Sequence, residues 1–170
     1  MNNERGFTLT ELLVACAIIG MVMAGIFTLQ QQGQSAYLWG SARVEVQQNA
    51  RLALDLMTRE LRSATSITAV GGNCNSSGAT TITFVDSGSN AVVYNLTGTT
   101  LQRNAIDVIA GVETFGIFCY QADGYTGTTT VGDIRSIRVQ IGTRTEANPA
   151  AGQAGAQHAI VESRVKLRNL

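Results

Sequence analysis

The chain is poor in proline, histidine and charge, and each shortage removes a class of explanation. One Pro occurs in 170 residues, at Pro149, so nothing in the stretch from Phe7 to Ala64 breaks a helix. One His occurs, His158, which rules out a His-Glu-x-x-His zinc helix; a Gly-x-Ser-x-Gly nucleophile turn and a Cys-x-x-Cys pair are also missing. Catalysis therefore has little support, and the expectation is a non-enzyme without cofactor or metal. Asp86-Ser87-Gly88-Ser89-Asn90 is rich in oxygen ligands but lacks the spacing and final Glu of a calcium loop, so it reads as a polar hairpin turn. Charged residues make up 14% of the chain and the formal net charge is +0, so no strong electrostatic partner is implied. Long repeats are absent.

What the chain does have is concentrated at its start. Gly6-Phe7-Thr8-Leu9-Thr10-Glu11 runs directly into Leu12-Leu13-Val14-Ala15-Cys16-Ala17-Ile18-Ile19-Gly20. The apolar segment spans residues 7–29, about 23 residues or roughly 34 Å as a helix, enough to cross a ~30 Å hydrocarbon core. Glu11 is its only ionisable side chain. A carboxylate in lipid costs a few kcal/mol or more, which makes Glu11 a functional-site candidate. The short leader carries one cation, Arg5, and the small residue Gly6 precedes the apolar run. An ordinary secretory signal is cut after its apolar run. A cut between Gly6 and Phe7 instead leaves the membrane segment on the mature protein.

These residues resemble the class III signal of type IV pilins and type II secretion pseudopilins: Gly, a mature Phe, then Thr-Leu-x-Glu. Thr10 stands where many members have Ile or Val. The resemblance implies that a prepilin peptidase cuts before Phe7 and methylates its new amine. Two rival readings attach to the same segment. Leu13-Val14-Ala15-Cys16 has the form of a lipobox, but the apolar stretch before it is short and interrupted by Glu11. An uncleaved signal anchor leaves Glu11 unexplained. After a cut before Phe7, the new amine lies four residues from Glu11, and such residues are neighbours on a helix. A paired ammonium and carboxylate cost far less in low dielectric than either alone. The pair can form within one chain or between chains. The resemblance favours the between-chain form, in which Glu11 of an incoming subunit meets the Phe7 amine of a neighbour and selects the filament register.

Beyond Leu29 come glutamines, then Tyr37 and Trp39, which suit a membrane–water boundary. Ala42, Val46, Ala50, Ala53, Met57, Leu61 and Ala64 fall at steps of three and four and define one helix face, widened by Leu52 and Leu56. Arg51–Asp55 and Asp55–Arg59 have ion-pair spacing. The expectation is one helix of about 58 residues, roughly 87 Å long, half in membrane and half on a soluble domain. Gly20, Gly25, Gly33 and Gly40 are either weak points or small packing residues.

From Thr65 the texture turns to Thr, Val, Ile, Gly and Ser. Residues 81–85 alternate like a strand; 91–96 and 100–102 read as a hairpin about Thr97-Gly98-Thr99; 114–120 is a buried strand; 137–141 and 161–167 alternate. These imply an antiparallel sheet whose apolar face buries the helix stripe, an α+β fold. Residues 147–157 read as a mobile loop. The expected organisation is a leader at 1–6, a transmembrane and assembly half of the helix at 7–29, an amphipathic half at 30–64 and a periplasmic or extracellular β-rich domain at 65–170.

Arg5 before the anchor predicts a cytoplasmic N-terminus and a soluble domain outside the inner membrane, an oxidising compartment. Of three Cys, Cys16 lies in the membrane segment, so Cys74 and Cys119 are expected to bridge, with two free thiols as the alternative. Arg135, Arg138, Arg164, Lys166 and Arg168 form a basic stripe if their strands pair. Acidic residues balance the domain, so a solvated strand face is favoured over a nucleic-acid site. Residues 48–62 also resemble the helix signature of PilW-type minor pilins and J-type secretion pseudopilins, and Val165-Lys166-Leu167-Arg168-Asn169 a PilW-type last strand. Together the resemblances imply a minor pilin or pseudopilin of the inner membrane, assembled with other pilins into a pilus or secretion filament. A tip module that binds DNA or a surface is the alternative.

Overall fold

The computed structural model describes residues 7–145 and 157–168. The leader with Gly6, the expected loop at 147–156 and Asn169 lie outside the described residues.

One helix, α1 (Leu9–Ser63), takes up the described chain as far as Ser63. It begins at Thr8, whose side chain accepts from the Glu11 amide, and it runs unbroken through Gly20, Gly25, Gly33 and Gly40. It ends at Ala64, which turns extended (φ −59°, ψ 137°) and hands the chain to the sheet through Thr65 N–H to Val85 O at 2.8 Å. At 55 residues it is roughly 82 Å long. Residues 7–41 are exposed throughout, and burial begins only near Val46.

The expected alternating segments form strands, in two antiparallel meanders rather than one sheet. The first contains β1 (Ser66–Gly71), β2 (Thr81–Val85), β3 (Ala91–Thr97), β4 (Thr100–Arg103) and β5 (Ile106–Ile109), in that spatial order. The second contains β6 (Val112–Tyr120), β7 (Ser136–Arg144) and β8 (His158–Lys166). Strands β1 and β5 are additions to the sequence reading. β1 has a bulge between Ile67 and Ala69. β5 follows a two-residue turn at Asn104 and Ala105, both at positive φ (50° and 64°), the turn geometry that matches strand twist.

The two meanders meet beside the disulfide. Cys74, in the β1–β2 connection, is bonded to Cys119 on β6, and Cys119 N–H donates to Cys74 O at 2.8 Å. Ala79 and Ile117 exchange two further backbone hydrogen bonds at 2.9 Å. The approach is close: a Cβ on Gly78 (φ 77°) would come 3.1 Å from the Gly116 backbone and 3.0 Å from the Phe118 ring.

One core unites the helix with both meanders. Ala53, Met57 and Leu61 pack with Phe84, Tyr94, Leu101, Ile117, Ile137, Val139 and Ile141. Fully burying a side chain of Met or Leu size contributes about 1.5–3 kcal/mol, so this stripe is what docks the helix. The stripe differs from expectation on one flank. Leu54 and Thr58 are buried, whereas Leu52 is 65% exposed. Apolar spacing marks the stripe's centre but not which flank the sheet covers. Thr143 Oγ1 ties β7 to the helix by donating to Val46 O at 3.0 Å.

The polar tie at the far end of the helix also differs from expectation. Arg51–Asp55 and Asp55–Arg59 do not pair; the ion pairs among the described residues are Arg103–Glu60, Arg138–Glu162 and His158–Glu113. Exposed i,i+4 partners gain little over solvation, so this is physically ordinary. Glu60 instead accepts from Arg103 Nε at 3.0 Å and from Tyr94 Oη at 2.8 Å. Burial, then the Glu60 carboxylate, pushes the Tyr94 phenol well above the usual tyrosine range.

Candidate functional site

The residues singled out at the N-terminus form one local constellation. Thr8 and Glu11 make a reciprocal capping box: Thr8 Oγ1 accepts from Glu11 N–H at 3.3 Å, and Glu11 Oε2 accepts from Thr8 N–H at 2.9 Å. Thr8 Oγ1 also lies 2.9 Å from Glu11 Oε2. Two orphan donors of the first helical turn are thereby satisfied, and the carboxylate sits at the positive end of the helix dipole. The box has a sequence signature, Thr-x-x-Glu, which attention to the amine spacing alone passes over. Phe7 directly precedes the cap and is 91% exposed.

Behind this cap the helix is apolar on every side. Its most apolar window has a mean hydropathy of 2.6, and it is long and apolar enough to cross a membrane. Leu9, Leu12, Leu13, Val14, Ile18 and Ile19 all have more than half of their surface exposed. Soluble monomers rarely present so large an apolar surface; lipid or like helices are its physical complement. A Cβ at Gly20, Gly25, Gly33 or Gly40 would meet nothing within 4 Å, so no contact among the described residues requires their small size. Cys16 is free and exposed on the same surface.

The remaining sequence candidates are placed as follows. Asp86–Asn90 closes the β2–β3 hairpin: Asp86 Oδ1 accepts from the Gly88 and Asn90 amides, both at 2.8 Å. These bonds, with Asn90 foremost, hold the Asp86 carboxyl below the usual aspartate range. Among the described residues, no three His, Cys, Asp or Glu side chains gather as a metal site. His158 Nδ1 lies 2.9 Å from Glu113 Oε2 at the start of β8. The basic residues do converge. Arg138 and Arg164 stand directly opposite on β7 and β8, and Ser136 stands opposite Lys166. Arg138 lies over the Phe118 ring at 4.4 Å and Arg164 over the Tyr120 ring at 4.2 Å. Sequence reasoning finds the cations but not the aromatic faces beneath them.

No curated protein matches the chain. Residues 1–27 match the family model for the prokaryotic N-terminal methylation motif. The chain thus carries a match to the prokaryotic N-terminal methylation motif at the start of a long helix packed on antiparallel sheet, an arrangement consistent with a type IV pilin-like protein.

Proposed function

We propose that this chain is a minor subunit of a type IV pilus or a related secretion pseudopilus, anchored in the inner membrane and then drawn into a filament by its N-terminal helix. One observation carries the proposal: residues 7–29 form an exposed apolar rod with no partner among the described residues, headed by a single carboxylate. Cleavage between Gly6 and Phe7 would create an α-amine at the tip of that rod, and methylation would keep its positive charge. In the membrane the capping box gives Glu11 an internal partner. On assembly Glu11 exchanges Thr8 for the Phe7 amine of a neighbour, a charged hydrogen bond in low dielectric that is about twice as strong as a neutral one. A mismatched register leaves both charges unpaired, so the pair selects the register. The minor rather than major assignment is supported by the helix signature at 48–62 and the last strand.

The test compares Glu11→Ala with wild type for membrane level and filament incorporation. The substitution makes the anchor more apolar, so membrane levels are expected to hold while incorporation falls. Normal incorporation at normal membrane levels would remove the register role. Loss from the membrane would assign Glu11 to insertion or stability instead.

A further inference from the structure

The outer face of the β6–β7–β8 sheet carries a feature that a filament role does not use. Cys119, Ile137 and Val165 point into the core, so their neighbours point out. Two outward rows cross the sheet: Phe118, Arg138 and Arg164, then Tyr120, Ser136 and Lys166. The loop after β6 folds over the second row. It encloses a cleft of about 340 Å³ whose lining includes Asp123, Tyr125, Arg135, Ser136, Arg164 and Lys166.

Charge in this cleft is unbalanced. Directly opposed like charges destabilise a sheet. In the first row Glu162 offsets Arg138, at 3.7 Å. Among the described residues, no carboxylate forms an ion pair with Arg135, Arg164 or Lys166. Arg135 Nη1 is held by Gly132 O at 2.8 Å and Ile134 O at 3.0 Å, and Arg164 Nη2 donates to Gly124 O. These contacts orient two guanidinium groups and leave donors over. Asp123 offsets them only in part: it attracts Arg164 without an ion pair, and its oxygens accept from the Thr126 hydroxyl and from the Tyr125 and Thr126 amides.

The second observation is independent of charge. Ser136 is 7% exposed, and its Oγ has no hydrogen-bond partner among the described residues. A buried, unpartnered hydroxyl is uncommon and costly, and a bound oxygen would satisfy it. We infer that this cleft binds a single carboxylate group, an Asp or Glu side chain or a chain terminus, presented by another protein subunit. Ser136 Oγ and the spare donors of Arg164, Arg135 and Lys166 hold the two oxygens, and Tyr125, 87% exposed, forms an aromatic rim of the kind enriched at protein interfaces. A polyanion fits less well. The chain's formal net charge is +0, and Asp123 in the cleft wall would repel a second phosphate.

The test uses the full chain, ¹⁵N-labelled in zwitterionic micelles, titrated with the blocked tripeptide acetyl-Gly-Asp-Gly-amide. The controls are its Asn counterpart and a thymidine hexanucleotide. The Asp peptide is expected to saturate one site, moving the amide signals of residues 121–125 and 136. The Asn peptide should bind about tenfold more weakly, R164Q/K166Q should weaken the Asp peptide about tenfold, and Ser136→Ala about threefold. Arg51→Gln, on the exposed helix, should change nothing. Equal binding of the Asp and Asn peptides overturns the inference. So does a Ser136→Ala protein that is more stable yet binds unchanged, because the hydroxyl would then be only a packing defect. Tighter binding of the oligonucleotide at the same signals would overturn the choice of a protein carboxylate.

Discussion

Removing the Cys74–Cys119 bridge should cost the β-domain a large part of its stability. The two residues are 45 apart in sequence, and closing a loop of that length restricts the unfolded chain by about 4 kcal/mol in the entropy model. The native state loses little, because the neighbouring backbone bonds, Cys119 to Cys74 and the Ala79–Ile117 pair, do not depend on sulfur. For a domain of this size, 4 kcal/mol corresponds to roughly 15–30 °C in melting temperature. Both cysteines are buried, at 1% and 0% exposure, so alanine also removes a little packing at each site. The informative design is a cycle of Cys74→Ala, Cys119→Ala and the double variant, in the full chain under oxidising conditions. Unfolding is followed by near-ultraviolet circular dichroism, which reports the packed aromatic residues of the β-domain. A shared bond makes each single variant nearly as destabilised as the double. Two independent thiols would instead give additive losses. Additivity, or a double variant within about 1 kcal/mol of wild type, would refute the staple.

The other perturbations are local. Tyr94→Phe should cost about 1 kcal/mol in denaturant unfolding, and Glu60→Ala about 2–3 kcal/mol, because only the latter leaves both the Tyr94 hydroxyl and Arg103 without their partner. Equal losses would mean that the Glu60 cluster does not pin the helix. Asp123 is held below the usual aspartate range, first by the Thr126 hydroxyl and then by the Thr126 and Tyr125 amides. A lowered carboxyl pKa stabilises the fold above the ordinary aspartate range, and that contribution is lost as pH falls through the folded value. The stability advantage of wild type over Asp123→Asn should therefore shrink below about pH 4 in urea titrations. An advantage that is constant with pH would contradict it.

Much of the fold is legible in sequence because its signals are local. The lack of proline and the three-four spacing mark the helix; alternation marks β2, β7 and β8, the hairpin pattern marks β3 and β4, and an apolar run marks β6. The Thr97–Thr100 hairpin is announced by Gly98, which sits at φ 60°. Strand β5 is not announced, since Ala105 occupies a left-handed position where glycine or asparagine is expected, and Ile106 is 71% exposed. The β1 bulge breaks the period of two on which strand reading depends. The division into two meanders, like the choice of Leu54 over Leu52, is decided by contacts distant in sequence. The same holds at the candidate sites. Glu11 stands out because a lone carboxylate in an apolar run is conspicuous. The cleft at Ser136 depends on a loop folding over two strand ends, and no periodicity encodes that.

The central claim is that this chain enters a filament through a processed N-terminal helix. It is tested most directly by the mass of the N-terminal peptide from protein recovered in sheared filaments. The account predicts a peptide that begins at Phe7 and carries one added methyl group on its amine. A peptide that retains Met1, a lipid on Cys16, or the absence of the chain from filaments that contain other subunits would contradict it.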